Sequence, residues 1–310
     1  MLAPQHRATG QRLAALLLVG VVLTAGVAGA AEQTADEEAA RQAVYERITR
    51  NPAIGLGAGR ALLFQIANPK IGAGVTDHSR VAGDPNQGIG RLRSTAGLGM
   101  ALMVGNDEQA TAAAAQVNAV HDRVKGTVSE GATRGARYSA HDPRLQVWVL
   151  ATLVDSMIKS HETFAGPLTT GEKDIFTAEA FRRVGLRLKL RADHLPTTYA
   201  QIRDQVRDGL GELEVTPSAR TLGQAIAEPP LPRKSLRAAA RLVTVGMLPP
   251  ELRDAYDLKW RARDRALLGV ASKTARAVTK SRLLRPLVTK ATDKVMQKAM
   301  GGGAAKPAGR

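Results

Sequence analysis

The chain has 310 residues, only 3% of them aromatic, and no cysteine, which excludes disulfides, thiolate haem ligation, iron–sulfur clusters and cysteine nucleophiles. Its alanines, valines and leucines fall at helical rather than alternating spacing, which predicts an all-α protein with one globular helical domain, globin-like or bundle-like. The formal net charge is +16, and from Arg233 to Arg310 there are 19 Lys and Arg against 5 Asp and Glu, so the excess lies in the C-terminal quarter and points to an anionic partner surface.

Met1 to Arg12 carries Arg7 and Arg12 and no acid, and Leu13 to Ala31 is uncharged and largely apolar, closing on Ala28-Gly29-Ala30. This layout predicts an export signal cleaved near Ala31, or an uncleaved membrane anchor, within residues 1–31. The expected location is therefore exported or membrane-associated, with a cytoplasmic origin as the alternative. Glu37 to Ile48 reads as a short polar helix that stops before Asn51-Pro52. Gly55-Leu-Gly57-Ala-Gly59-Arg60 follows. It lacks the preceding strand, the spacing and the ribose-binding acid of a dinucleotide fingerprint, so that reading is rejected. Its small residues are expected to allow close backbone approach, between helices or over a flat ligand. Gly72 to Ser79 is expected to be a loop and Asp84-Pro85-Asn86 a turn. Arg91-Leu-Arg-Ser-Thr95 then opens a helix running to about Val104, with Arg91 and Thr95 on one face.

The next helix begins near Asn106, which can cap it with Gln109 three residues on, and Gly126 is its expected stop. Val117, Val120, His121 and Val124 fall on one predicted buried stripe. An imidazole there needs a hydrogen-bond partner or a metal, so His121 is either a satisfied core histidine or an axial ligand to haem iron. Gly126 to Ala140 reads as a glycine-rich loop. Asp142-Pro143 caps and starts a helix whose run Leu145 to Val154 is apolar nearly all round, marking it as central and buried. Thr152 and Asp155 interrupt it, and the carboxylate calls for a cation, for which Arg91 is the expected partner. Thr169 to Arg191 gives further helices, Leu195-Pro-Thr-Thr-Tyr199 a capped start to a helix ending near Leu210, and Glu228-Pro-Pro-Leu-Pro232 a stiff linker. Leu236 to Val245 and Pro250 to Leu268 are read as helices, and His141, His161 and His194 as surface or helix-end residues. Val270 to Met296 has apolar residues near helical spacing among many Lys and Arg, with Asp293 its single acid. That pattern fits a helix lying on an anionic membrane surface; stacking aromatics and nucleic-acid motifs are absent. The domain reading is a leader at 1–31, a main domain at 37–268 and a basic tail at 269–310.

Several of these stretches, in order, carry a resemblance. They are Ala61-Leu-Leu-Phe-Gln, Ala-Asn-Pro69, Gly72-Ala-Gly-Val-Thr-Asp-His-Ser79, Arg91-Leu-Arg-Ser-Thr95 and Val117-Asn-Ala-Val-His121. Tyr138-Ser-Ala-His-Asp-Pro143, Trp148 to Asp155, Leu195 to Tyr199 and Val243 to Pro250 continue the series. Together they resemble the MpaB and latex-clearing-protein oxygenase family from about Gly55 to Leu268. The resemblance implies a globin-like or bundle-like helical domain. For the rubber-cleaving relatives it also implies haem b held by a histidine, with dioxygen used to split polyisoprenoid double bonds into carbonyl products; the fungal namesake cleaves a prenyl side chain. Carried over, His121 matches the axial position, with His78 its rival, and Arg91 and Thr95 match the haem-side motif. Arg91 would hold a propionate or polarise bound oxygen, Thr95 would hydrogen-bond nearby, and Thr152 and Asp155 complete the expected cofactor-binding set. Leu145 to Val154, with Met100 and Met103, would line an apolar channel.

The sequence departs from the family pattern at Ser94, where some relatives have a lysine that caps the iron, and at Asn68 and Leu150, where relatives have histidines. The resulting expectation is a haem-dependent oxygenase acting with dioxygen on a hydrophobic, isoprenoid or lipid-like substrate. Its rivals are a catalytically silent hydrophobic-ligand binder or membrane-associated scaffold of the same fold, and a non-haem iron site built from His78, His121 and Asp155.

Overall fold

The computed structural model describes residues 34–78, 98–99 and 101–281, and the chain divides into two units, 1–45 and 46–310. The leader-like segment, the turn at Asp84-Pro85-Asn86, Arg91, Ser94, Thr95, Met100 and the basic segment beyond Ser281 lie outside the described residues. Helix α1 spans 34–49 and crosses the division. In the second unit a 3-10 turn, Pro52–Gly57, leads into α2 (Ala58–Ile66) and α3 (Pro69–His78). Then come α4 (Asp107–His121), the antiparallel strands β1 (Lys125–Thr127) and β2 (Arg137–Ser139), and α5 (Pro143–Phe164). After these follow α6 (Thr170–Ala180), whose end opens into a π-turn at Phe181–Gly185, then α7 (Tyr199–Leu210), α8 (Pro217–Ala227), α9 (Lys234–Gly246), α10 (Pro250–Ala255) and α11 (Ala262–Lys280). The protein is mainly helical, as its periodicity predicts.

Local chemistry starts most of these helices. Asn106 and Gln109 form the expected reciprocal capping box of α4, Asp142 caps α5 ahead of Pro143, and Thr169 with Glu172 and Thr198 with Gln201 box the starts of α6 and α7. Three expectations are corrected. Gly72 to His78 is helical, not a loop: the Asn68 side chain accepts from Lys70 N and Ile71 N at 3.1 and 3.3 Å, and Pro69 supplies the first helical φ. The glycine-rich stretch after α4 is a hairpin, with Lys125 opposite Ser139 and Thr127 opposite Arg137. Its turn uses the left-handed backbone of Gly131 (φ 80°) and Gly135 (φ 88°), and Glu214 holds Ala132 N at 2.8 Å. The segment Pro250 to Leu268 is two helices, because Asp257 adopts φ 55° and Leu258 N reaches back to Arg253 O at 2.8 Å, a left-handed C-terminal stop.

α5 is the packing centre, as its apolar run predicts. It lies against the 3-10 turn, α2, α6, α7 and α11. The small-residue stretch makes two of these approaches possible. A Cβ on Gly57 would fall onto the main-chain carbonyl of Ser156, and one on Gly59 onto the Thr244 side chain of α9. Of the two roles expected for those glycines, the structure shows the helix–helix one. Tyr256 is fully buried, donates to Leu63 O at 2.7 Å, and occupies the space left by Gly223. Among the described residues no helix is long and apolar enough to cross a membrane.

The neighbour of Gly57 is backbone and cannot rotate away. Gly57→Ala should therefore destabilise the protein by about 1–3 kcal/mol in urea or thermal unfolding, whereas Gly171→Ala, which has open space, should be near neutral.

Candidate functional site

The central helix carries a buried charge. Asp155 and Arg60 are each 7% exposed and form an ion pair at 2.6 Å between Oδ2 and the guanidinium. Arg60 comes from the small-residue stretch, where it is the one charged residue between Arg50 and Lys70. Its Nε donates to Met247 O at 3.0 Å and another nitrogen to Ser156 Oγ at 2.7 Å, while the group stacks 4.5 Å from the Phe64 ring centre. Ser156 in turn donates to Thr152 O at 2.6 Å. The second carboxylate oxygen of Asp155 accepts from Tyr199 Oη at 2.7 Å. Burial first, and then the adjacent Asp155 charge, push the Tyr199 phenol far above its ordinary range, so it stays a neutral donor. Asp155 does have the cation it requires, and that cation is Arg60; Arg91, the partner expected from the sequence, lies outside the described residues. Thr152 Oγ1 donates to Trp148 O and Val149 O in its own helix at 2.9 and 3.0 Å.

A second locus forms where α4 ends. Ala110, Ala113 and Ala114 are buried, and His121 continues their face at partial burial. Val120, expected on that stripe, is instead 46% exposed: two turns beyond Ala113, it lies at the edge of the buried arc. The His121 ring meets His141 edge to face, with centres 5.8 Å apart, and His141 Nε2 lies 2.7 Å from Asp122 Oδ1. His141 is held there by the turn between β2 and α5. His121 Nδ1 and, one turn earlier, Asn118 Oδ1 are buried with no hydrogen-bond partner among the described residues. Burial, reinforced by the neighbouring His141, lowers the His121 pKa despite Asp122, so the neutral ring is favoured. The buried unpaired nitrogen of a neutral imidazole awaits an acceptor if it is protonated, or a donor or a metal if it carries the lone pair.

The remaining expected residues fall elsewhere. His78, the rival ligand, is exposed at the end of α3, 3.3 Å from Lys125 O and edge-on to Tyr138, which donates to Asp77 at 2.7 Å. Among the described residues no cluster of three or more His, Asp or Glu could hold a metal ion, so His78, His121 and Asp155 do not assemble a facial triad. Met103 and Leu150 are buried in the core, and Asn68 is occupied as the α3 cap. His161, read from sequence as exposed, is only 6% exposed: its Nδ1 faces Gly166 O at 3.2 Å, and burial lowers its pKa. The α5 spacing Leu150, Val154, Ile158, His161 puts it on the inner stripe, which was the missed signal.

Residues 45–279 match the family described as "ER-bound oxygenase mpaB/B'/Rubber oxygenase, catalytic domain". The chain belongs to this mpaB/rubber oxygenase family. The match runs through α11 and past the boundary at 268 read from the sequence. Two similar proteins, both described as uncharacterized, come from Mycobacterium bovis (strain ATCC BAA-935 / AF2122/97) and Mycobacterium tuberculosis (strain ATCC 25618 / H37Rv). Each is 26% identical over 204 residues, covering 64% of this chain and 78% of the relative. No solved structure matches the chain. Membership makes the domain an oxygenase-type catalytic domain, in which both loci are embedded.

Two measurements check the roles of these loci. Asp155→Ala strands the buried Arg60 and should cost about 3–5 kcal/mol of stability in denaturant unfolding, against about 1 kcal/mol for Tyr199→Phe, which leaves the ion pair intact. The depressed pKa values of His121 and His161 mean that the unfolded chain takes up protons first as pH falls. Stability is then fully present above about pH 6.5 and declines below it, and the double change His121→Gln/His161→Gln should flatten that acid limb.

Proposed function

We propose that the protein is a haem-dependent oxygenase acting with dioxygen on a hydrophobic, isoprenoid or lipid-like substrate, with His121 as the iron ligand. The observation that carries this reading is the buried Nδ1, without a partner among the described residues, of a ring whose surroundings favour the neutral state, in a domain of an oxygenase family. A neutral imidazole is the form that binds metal, and it suits haem iron. Leaving that nitrogen unpaired costs roughly 1–3 kcal/mol, a deficit that ligation would remove.

The residues of this chain then have separable tasks. His121 presents the donor, while His141, fixed by Asp122, packs against the ring and limits its rotation. Haem would supply the iron at which dioxygen is activated. Arg91 and Thr95 would bind the cofactor edge, as the resemblance implies. Arg60, Asp155 and Tyr199 lock α2, α5 and α7 together and keep their charge satisfied internally, so this network would present no unpaired charge to an apolar substrate.

The silent-binder reading has an observation of its own: where relatives have histidines, Asn68 is committed to capping and Leu150 to the core. The spectrum separates the two. Protein expressed with ample haem should show a Soret band that His121→Ala abolishes together with oxygen consumption, while His78→Ala and His141→Ala keep it. Colourless wild-type protein would transfer the assignment to the silent binder.

A further inference from the structure

α11 has a face that the fold does not use. None of its residues is buried, although 19 residues of helix pack along α5 and α9. Its inward line runs through Asp264, Leu268, Ala271, Ser272 and Ala275, with Leu268 against Gly246. Its outward line runs Arg263, Ala266, Leu267, Val270, Lys273, Thr274 and Ala277, all exposed and all within one helical stripe. Leu267 is 57% exposed and Val270 is 64% exposed, which makes them the two most open large apolar residues in the described chain. Cations bracket them: Arg263 on one side, Lys273 on the other, and Lys280 at the end of the helix.

The single acid of α11, Asp264, is taken out of that face. Its Oδ2 accepts from Arg261 N at 2.9 Å and closes the capping box at the start of the helix, while its Oδ1 lies 3.7 Å from Nε of the exposed Arg263. Arg276 is also turned inward, where it donates to Thr163 O and Glu162 O at the end of α5 at 2.9 and 2.6 Å and seals that helix terminus. The outward face is thus an apolar strip with positive margins, whose one acidic neighbour on the helix is the largely covered Asp264 beside Arg263. A similar exposed combination opens α9, where Leu236 stands 48% exposed between Lys234 and Arg237.

From this charge and polarity pattern we infer that the outward face of α11 docks on an anionic lipid surface, with Leu267 and Val270 entering the boundary between headgroups and acyl chains and Arg263, Lys273 and Lys280 meeting phosphates. An apolar strip alone would favour any greasy partner; margins in which cations outnumber the single tucked-in acid select a negatively charged one. Nucleic acid is the poorer match, since the exposed centre of the stripe is aliphatic and offers no ring for base stacking.

The absence of cysteine permits a local test on the full chain. Ala266→Cys, on the stripe, and Glu212→Cys, exposed at the end of α7, are each labelled with an environment-sensitive fluorophore. Each protein is then mixed with phosphatidylcholine vesicles, with the same vesicles containing phosphatidylglycerol, and with duplex DNA. The label at 266 should shift to the blue only on the phosphatidylglycerol vesicles, and the label at 212 should not. Because the reporter sits on α11, the apolar run near the N-terminus cannot produce this signal by itself. Adding Leu267→Ser/Val270→Ser should weaken the vesicle titration about tenfold or more while leaving the melting temperature unchanged. Raising salt from about 0.1 M to about 1 M, which shortens the screening length from about 10 to about 3 Å, should weaken it likewise. No shift on anionic vesicles, an equal shift on neutral ones, an unchanged titration in the serine variant, or a larger response to DNA would each overturn the inference. None of these outcomes bears on the absorbance test of haem binding.

Discussion

The structure depends on one buried ion pair. Arg60 and Asp155 face each other across α2 and α5 with little solvent to screen them, and a pair of this kind recovers its desolvation cost only when the other donors and lone pairs are also satisfied. Here they are. Met247 O, Ser156 Oγ and the Phe64 ring complete the environment of the guanidinium, and Tyr199 takes the remaining carboxylate oxygen. The network joins four segments far apart in sequence. It therefore acts as a registration device: α2, α5 and α7 and the end of α9 have one mutual arrangement in which every partner is met.

Much of this order is legible in the residues. Asn106, Asp142, Thr169 and Thr198 announce helix starts because capping is a local reaction between a side chain and the amides two or three residues on. The centrality of α5 follows from an apolar run wide enough to need cover on all sides. The need of Asp155 for a cation is legible too, since burying a carboxylate alone is prohibitive. Its partner was not, because pairing across the fold depends on which helices pack. Arg60 stands in a stretch whose glycines draw attention to backbone approach, and the arginine beside them is the charge delivered by that approach.

The failures have the same character. Gly72 and Gly74 look like loop residues, yet α3 is started by Asn68 and Pro69, and its glycines serve contacts with Ile66 and Tyr138. Glycine marks both flexibility and proximity, and composition does not separate the two. Val120 and His121 share a predicted stripe but not a burial state, because α4 is covered over a narrower arc than its apolar pattern allows. The place of His161 near a helix end suggests exposure, but its register on the inner line of α5 decides its burial. Arg91 and Thr95, expected at the site from the resemblance, lie outside the described residues.

The close approach at Gly57 and Gly59 has a mechanical consequence. Where side chains separate two helices, small sliding motions are absorbed by rotamer changes, and such contacts act as soft springs. Where main chain sits on main chain, as at Gly57 and Ser156, there is no compliant layer, and a displacement of α2 is transmitted to α5 undiminished. Clamped also by the Arg60 network, these helices form the stiff frame of the molecule. Larger displacements must then fall to elements held through longer side-chain tethers, such as the hairpin, which hangs from Glu130 and Glu214, and the end of α4 that carries His121.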